Sequence, residues 1–346
     1  MRGAGRSVEP LHGQPLAQTP IVDQVPAPTP PDEVTRLVAE RAEARADGKF
    51  QEADRIRERV RELGWEVMDS ADGTMVRPVL PSQANASVGY ARPEDLASML
   101  GEAPIVDASL VVLAEDHQAD LDRLLHGLGS HPPLASWELI LVANAATFDP
   151  EASLAGVDLE IEPSLLSTSA RLGWADAVNL GLRRARGQVI VLLDGSVEPT
   201  GDLVAPLIEA FQDERVGIAG PFGVSSRDLR HFDEAPPGEV DAIEGYCLAV
   251  RREVLRDVGL FDAHFRFYRN ADLDFSFAVR DGGWRAVRVD GLPLRLHEHR
   301  GWSSLPPDER DRLSKRNFYR FLKHWGDRRD LLTNPGPRRT PRGDQP

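Results

Sequence analysis

Residues 188–199 read QVIVLLDGSVEP. The apolar run from Val189 to Leu193 is too short for a globular helix and is rich in β-branching, which predicts a strand buried on both faces. A parallel sheet is implied, and open α/β sheets hold their ligands just beyond the carboxyl ends of their strands. Asp194, Gly195 and Ser196 follow the run directly, so Asp194 lies where chemistry is expected. The plain alternative for Asp194 is a turn acid supporting Gly195.

Outward from this strand, the pattern repeats. WADAVNLGLRRARG precedes it as a helix with Ala175, Val178, Leu182 and Ala185 on one face and Gly187 as its stop. PTGDLVAPLIEAFQDE follows as a second helix and VGIAGPF as another strand. Upstream, SLVVLAED is a strand ending in two acids, QADLDRLLHGL is an amphipathic helix, and WELILVANAA is a further strand. Strand and helix alternating at short intervals predict a three-layer α/β/α domain over residues 105–333. A P-loop and a GxGxxG fingerprint are both absent, which disfavours an ATPase or a nicotinamide dehydrogenase.

The flanks read differently. Residues 1–31 and 334–346 are Pro-rich with no hydrophobic period and are expected to be disordered. Residues 32–78 form a small module. One helix carries Leu37 and Val38, and a second, after Gly48, has Ala53, Ile56, Val60 and Leu63 at helical spacing and ends at Gly64. WEVMD, a turn at Asp72 and Gly73, and TMVRP then make a β-hairpin. Residues 79–104, with Pro81, Pro93 and Pro104, read as a linker.

With 346 residues, 41% of them apolar, the chain can bury a full core. The net charge of −14 disfavours nucleic acid as a partner, which normally needs a basic face. No apolar run approaches the ~20 residues of a membrane helix. The start of the chain has Arg2 and Arg6 but no apolar stretch of a secretory signal, so the expected address is the cytoplasm. Cys247, the single cysteine, excludes an internal disulfide and reads as a small buried hydrophobe.

The segment from about Leu37 to Pro78, including ARADGKFQEADRIRERVRELGWEVMDSADGT, resembles the helical module at the C-terminus of cysteinyl-tRNA synthetases. The resemblance implies ancestry for the module and not aminoacylation. Arg55, Arg57, Arg59 and Arg61 offer an RNA or protein contact, while Glu52, Glu58 and Glu62 interleave them as on a solvated face.

From about Ser109 to Trp325 the order of parts resembles a family 2 glycosyltransferase with the GT-A fold. The resemblance is carried by LGWADAVNLGLRRARGQVIVLLDGSVEP, EGYCLAVRREVLRDVGLFDAHF, ADLDFSFAVRDGGW and LHEHRGWS followed by RNFYRFLKHWG. It implies an inverting transfer of sugar from a nucleotide-sugar donor to a hydroxyl of a saccharide or lipid-linked acceptor. It also implies a strand-end pair of acids that grips the donor ribose and a divalent cation, Mg²⁺ or Mn²⁺. Here Asp194 keeps the first acid, and Ser196, a poor ligand for such cations, replaces the second. Glu198 would have to turn back to help. At the donor's base the resemblance leads one to expect an aspartate where Ala143 stands, with Asn144 next to it as the substitute, and a Thr-Tyr-Asn-like run at the end of the first strand, where Ala114, Glu115 and Asp116 stand and Glu115 is the donor-binding candidate. Asn144 otherwise caps a loop. Asn179, polar within an apolar stripe, meets either the donor sugar or a neighbouring loop.

By the same resemblance, Asp272 matches the catalytic base of a Glu-Asp motif in which Ala271 replaces the glutamate, with Asn270 as the helix cap. Asp272 and Asp274 alternatively just favour the positive end of the helix dipole. Asp274 and Trp302 are placed on the acceptor side, although aromatics at helical spacing in this region also serve as core. His297 and His299, pointing the same way if the strand continues, lie where the family supplies a histidine to the metal or diphosphate; hydrogen bonding with Glu298 and Arg300 is the plain alternative. Arg300 or Arg280 would offset phosphate charge if no metal does. Ser196, Ala143 and Ala271, each standing for an expected acid, motivate a second reading: a degenerate binding or scaffold protein with RNA or protein contacts through its N-terminal module.

Overall fold

The computed structural model describes residues 30–47, 49–63, 65–70, 73–78 and 89–336. The disorder expected of residues 1–31 and 334–346 therefore falls mostly outside the described residues, as do Gly48, Gly64 and Asp72. The chain divides into two compact units, Met1–Pro78 and Val79–Pro346.

In the first unit, α1 (Asp32–Ala46) and α2 (Phe50–Glu62) form a helical hairpin, and β1 (Trp65–Ser70) pairs antiparallel with β2 (Gly73–Pro78). Val34 and Leu37 of α1 and Val60 of α2 meet Trp65 and Val67 in one small core. The apolar stripe at helical spacing is what brings the helices onto the hairpin.

The second unit runs β3 (Val106–Ala114), α3 (Gln118–Ser130), β4 (Trp137–Ala143), α4 (Pro150–Ala155), β5 (Ser164–Ser167), α5 (Trp174–Arg184), β6 (Gly187–Leu193), β7 (Val197–Pro199), α6 (Val204–Ala210) and β8 (Val216–Gly220). It continues with β9 (Gly223–Ser226), β10 (Phe232–Glu234), β11 (Gly238–Val240), β12 (Ala242–Ile243), β13 (Cys247–Arg251), α7 (Arg252–Asp257), α8 (Ala271–Asp281), β14 (Arg285–Arg288), β15 (Leu294–Leu296), α9 (Arg300–Ser303) and α10 (Pro307–Trp325). Eight strands make one sheet in the order β11-β14-β8-β13-β6-β3-β4-β5.

The side chains of β6 go to both faces of the sheet. Ile190 and Leu192 pack with Val178 and Leu182 of α5, while Val189, Val191 and Leu193 pack with Leu121, Leu124, Leu125 and Leu128 of α3. Each such aliphatic side chain contributes about 1.5–3 kcal/mol by leaving water, so the two-faced run is a strong determinant of the three layers.

The expected parallel sheet is found only in part. β3 pairs parallel with β4 and β6, and β4 with β5, but β13 runs antiparallel between β6 and β8. The chain reaches β13 from the small β10-β9-β12 sheet and turns back beside β6 at the end where Asp194 stands. Tyr246 O thereby accepts from the Asp194 N–H at 3.0 Å.

Residues 89–104, read as linker, are part of this unit. Tyr90 donates to Ser167 O at 2.9 Å and accepts from Ser169 N–H at 3.0 Å, and Leu100 is buried in the core. Cys247 is fully buried on β13, and burial pushes its thiol up to about 12, as fits an inert core residue. No helix among the described residues is long and apolar enough to cross a membrane.

Candidate functional site

A cleft opens at the carboxyl ends of β3, β4 and β6. Its larger lobe, about 420 Å³, is lined by Glu115, Asp116, Arg171, Asp194, Ser196 and Arg300. A smaller lobe of about 230 Å³ is lined by Arg230, Glu244, Arg269, Asp272, Phe232 and Phe318. Trp174, Asp194, Gly245, Tyr268 and His299 line both.

The wall between the lobes follows from the β6–β13 pairing. Because Tyr246 faces Asp194, the preceding residue, Gly245, reaches α8, where its N–H donates to Asp272 Oδ2 at 2.9 Å. Asp272 Oδ1 accepts from the Leu273 N–H at 2.9 Å. Burial raises the Asp272 carboxyl above its ordinary value, and these backbone donors only partly offset that. Glu244 is the neighbour that the sequence reading passed over. Burial and then the nearby Asp272 push its carboxyl up to about 7.

Asp194 is half-buried, and its Oδ1 accepts from the Ser196 N–H at 2.8 Å and from the Ser196 hydroxyl. Its Oδ2 faces His299 Nε2 at 3.2 Å. Burial opposes the charge on Asp194, but His299 and Ser196 outweigh it and hold the carboxyl below its usual range. For His299 the order is the same: burial lowers its pKa, and Asp194 more than restores it. The imidazole is fixed in place, since Nδ1 accepts from the Trp302 N–H at 3.1 Å and the ring stacks on Tyr268 with centroids 4.3 Å apart. The Tyr268 hydroxyl is buried with no hydrogen-bond partner among the described residues. Arg123 closes the back of the turn, bonding Gly195 O at 3.1 Å and Asp120 at 2.8 Å.

Several expected residues go elsewhere. Asn144 is fully buried and its amide is committed: Nδ2 donates to Glu115 at 2.7 Å and Leu172 O at 3.2 Å, and Oδ1 accepts from Leu172 N–H at 2.8 Å. It braces Glu115 and is not presented to a ligand. Glu115 itself does line the larger lobe; burial raises its carboxyl, with Arg171 4.0 Å away opposing the rise. Asn179 takes the neighbouring-loop alternative, exchanging two hydrogen bonds with the Phe261 backbone at 2.8 and 3.1 Å. Ser196 lines the lobe, yet its hydroxyl is turned onto Asp194.

The two histidines part because β15 stops at Leu296, so no strand alternation holds beyond it. His297 Nε2 lies 2.5 Å from Glu198, which also meets Arg295 at 3.5 Å, and of the two histidines it is His299 that pairs with Asp194. Asp274 is on the far side of α8, bound by His324 Nδ1 and Trp325 Nε1, each at 2.9 Å, so it joins α8 to α10 and is not on the acceptor side. Trp302 stands outside both lobes, between the guanidinium groups of Arg269 and Arg310 at 5.1 and 5.6 Å. Arg280 bonds Leu331 O and Val240 O, away from the cleft, whereas Arg300 is at its rim. Asn270 precedes α8 in the left-handed region, but its side chain reaches Ser314 O instead of capping the helix. Arg171, held by Asp116 at 2.6 and 2.7 Å, is a cation of the larger lobe that no motif signalled.

A divalent cation fits the Asp194–His299 pair. Asp194 Oδ2 and His299 Nε2, 3.2 Å apart, would hold such an ion as carboxylate and neutral imidazole ligands in place of the proton that now joins them. Phosphate oxygens and water would complete the shell. Asp262, Asp274 and His324 also cluster, but Arg320 is 2.6 Å from Asp262 and Trp325 holds Asp274, so that group is an ion-pair network.

Residues 109–290, just over half of the 346, match the family described as Glycosyl transferase family 2. The chain belongs to that family. Residues 27–77 match the cysteinyl-tRNA ligase anticodon binding domain. Among solved structures, this family 2 chain is similar to GalNAc-T7 crystallised with UDP, GalNAc and Mn²⁺, at 17% identity and a TM-score of 0.52, covering 64% of this chain and 49% of that one. The similarity carries the GT-A-like fold. The mannosyltransferase PcManGT of Pyrobaculum calidifontis, in complex with GDP-Man and Mn²⁺, superposes with a TM-score of 0.48 at 17% identity, over 67% of this chain and 74% of that one. A curated Drosophila melanogaster relative is 24% identical over 259 residues, 64% of this chain and 43% of the relative; it bears the name "Putative inactive polypeptide N-acetylgalactosaminyltransferase 12". The chain thus spans under half the length of that relative.

Proposed function

We propose that this family 2 chain is an inverting glycosyltransferase that moves a sugar from a nucleotide-sugar donor to an acceptor hydroxyl. The observation that carries the reading is the shared wall: Asp194 and His299 face the larger lobe, and Asp272 stands at the smaller one with both carboxyl oxygens held by backbone N–H groups. The nucleoside diphosphate seats in the larger lobe, with Arg300 and Arg171 at its rim, and a saccharide or lipid-linked acceptor enters the smaller. Asp272 takes the proton of the acceptor hydroxyl as that oxygen attacks the anomeric carbon, and the bond from that carbon to the diphosphate breaks on the opposite side. A Mg²⁺ or Mn²⁺ ion held by Asp194 and His299 would offset charge growing on the diphosphate. UDP and Mn²⁺ in the structure of GalNAc-T7 support this donor class by similarity.

A second reading, a degenerate binding or scaffold protein, draws on Ser196, Ala143 and Ala271 and on the name of the Drosophila relative. The two separate in one assay. Protein mixed with UDP-, GDP- and dTDP-sugars, Mn²⁺ and a panel of saccharide and lipid-linked acceptors releases nucleoside diphosphate as the sugar moves to the acceptor if it is an enzyme, and Asp272→Asn lowers that release by about 10²–10⁴. A folded protein that binds a nucleotide but turns over none of the sugars supports the scaffold.

A further inference from the structure

Glu244 is the acid of the smaller lobe that the proposed reaction leaves unused. It follows β12, its backbone N–H is anchored on Phe222 O at 2.8 Å, and its side chain opens into the lobe. Among the described residues nothing hydrogen-bonds or ion-pairs with its carboxyl. The next residue, Gly245, donates its N–H to Asp272, so the two acids are held in one small space by a single peptide. The groups around Glu244 are Asp272 from α8, Arg269 just before it, Glu234 from β10, Arg230 before β10, and the phenols of Tyr246 and Tyr268. Arg269 attracts the pair, but it also lies over the Trp302 ring, and among the described residues it makes no close ion pair with either acid.

We propose that Glu244 is a positioning residue for Asp272: the two carboxyls titrate as one coupled pair, and when both are ionised the charge of Glu244 makes Asp272 a stronger base. This rests on the reading of Asp272 as the base. Like charges confined together cannot both ionise freely, and they titrate as a pair in two separated steps. In transfer, the acceptor O–H bond breaks and its proton goes to Asp272, the acceptor oxygen bonds to the anomeric carbon, and the nucleoside diphosphate leaves with the electron pair of the broken bond. Glu244, open to the lobe, then takes the proton onward to water.

The test is ¹³C-carboxyl NMR titration of the full chain, wild type, Glu244→Gln and Asp272→Asn, with circular dichroism confirming each fold. Glu244 is expected to titrate near pH 7 in the wild type and to fall by about one pH unit or more in Asp272→Asn, with a matching fall for Asp272 in Glu244→Gln. Independent titration of both carboxyls in the ordinary range, in the wild type alone, would overturn the proposal, so a variant that fails to fold does not shelter it. The titration needs no donor. Coupled titration in a protein without transfer activity would count against the transferase reading and leave the pair standing.

Discussion

Gly245 gives its N–H to Asp272 at 2.9 Å, and the carbonyl of the next residue, Tyr246, accepts from Asp194 at 3.0 Å. One short backbone stretch therefore joins the acid at the end of β6 to the acid at the start of α8. That joint sets the distance between the larger and smaller lobes, and it exists because β13 returns antiparallel beside β6.

Asp272→Asn keeps the shape but, its NH2 being a donor, only one of the two backbone hydrogen bonds, and it cannot accept a proton. Transfer is expected to fall by about 10²–10⁴ while nucleotide binding is unchanged. Kinetics beside calorimetry check this; full transfer by a folded variant would remove Asp272 from the base role.

His299→Ala removes the Asp194 partner and one side of the candidate cation site. The loss of a charged contact of about 1.5–3 kcal/mol corresponds to roughly 10- to 100-fold weaker cation-dependent nucleotide binding. His297→Ala serves as the contrast, since His297 faces Glu198, and is expected to leave that binding intact.

Asn144→Ala strands Leu172 N–H and C=O and frees Glu115. Each stranded buried group costs about 1–3 kcal/mol, so the melting temperature should drop by several degrees. A variant as stable as the wild type, with altered nucleotide preference, would return Asn144 to the donor site.

Glu244 predicts a pH-dependent stability. Its folded carboxyl titrates at about 7, above the ordinary 4.5, so between those values the folded state holds a proton that the unfolded state has released. Stability from this group therefore falls as pH rises through that window. Glu244→Gln should match the wild type near pH 4 and exceed it at pH 8 by on the order of 2 kcal/mol, read by urea denaturation at both values.

How far the sequence spoke can be judged residue by residue. Val189–Leu193 and the amphipathic stripes of α3 and α5 carry their own period, so the layers and the place of Asp194 were legible. The direction of β13 was not, because an apolar strand reads the same in either sense. Asn144 and Asp274 stood beside positions of the family pattern and Asn179 broke an apolar stripe; only tertiary packing reveals that neighbouring groups claim them. Pairing His297 with His299 assumed a strand that in fact ends at Leu296. Glu244 could have been noticed as the acid opening EGYCLAVRR, but its nearness to Asp272 depends on the antiparallel return.

The central claim is a working nucleotide-sugar site, and calorimetric titration with UDP, GDP and dTDP, each with and without Mn²⁺, tests it most directly. The account predicts that one nucleotide binds, more tightly with the cation, and that Asp194→Ala abolishes the cation's effect. No binding of any of them to folded protein would contradict it.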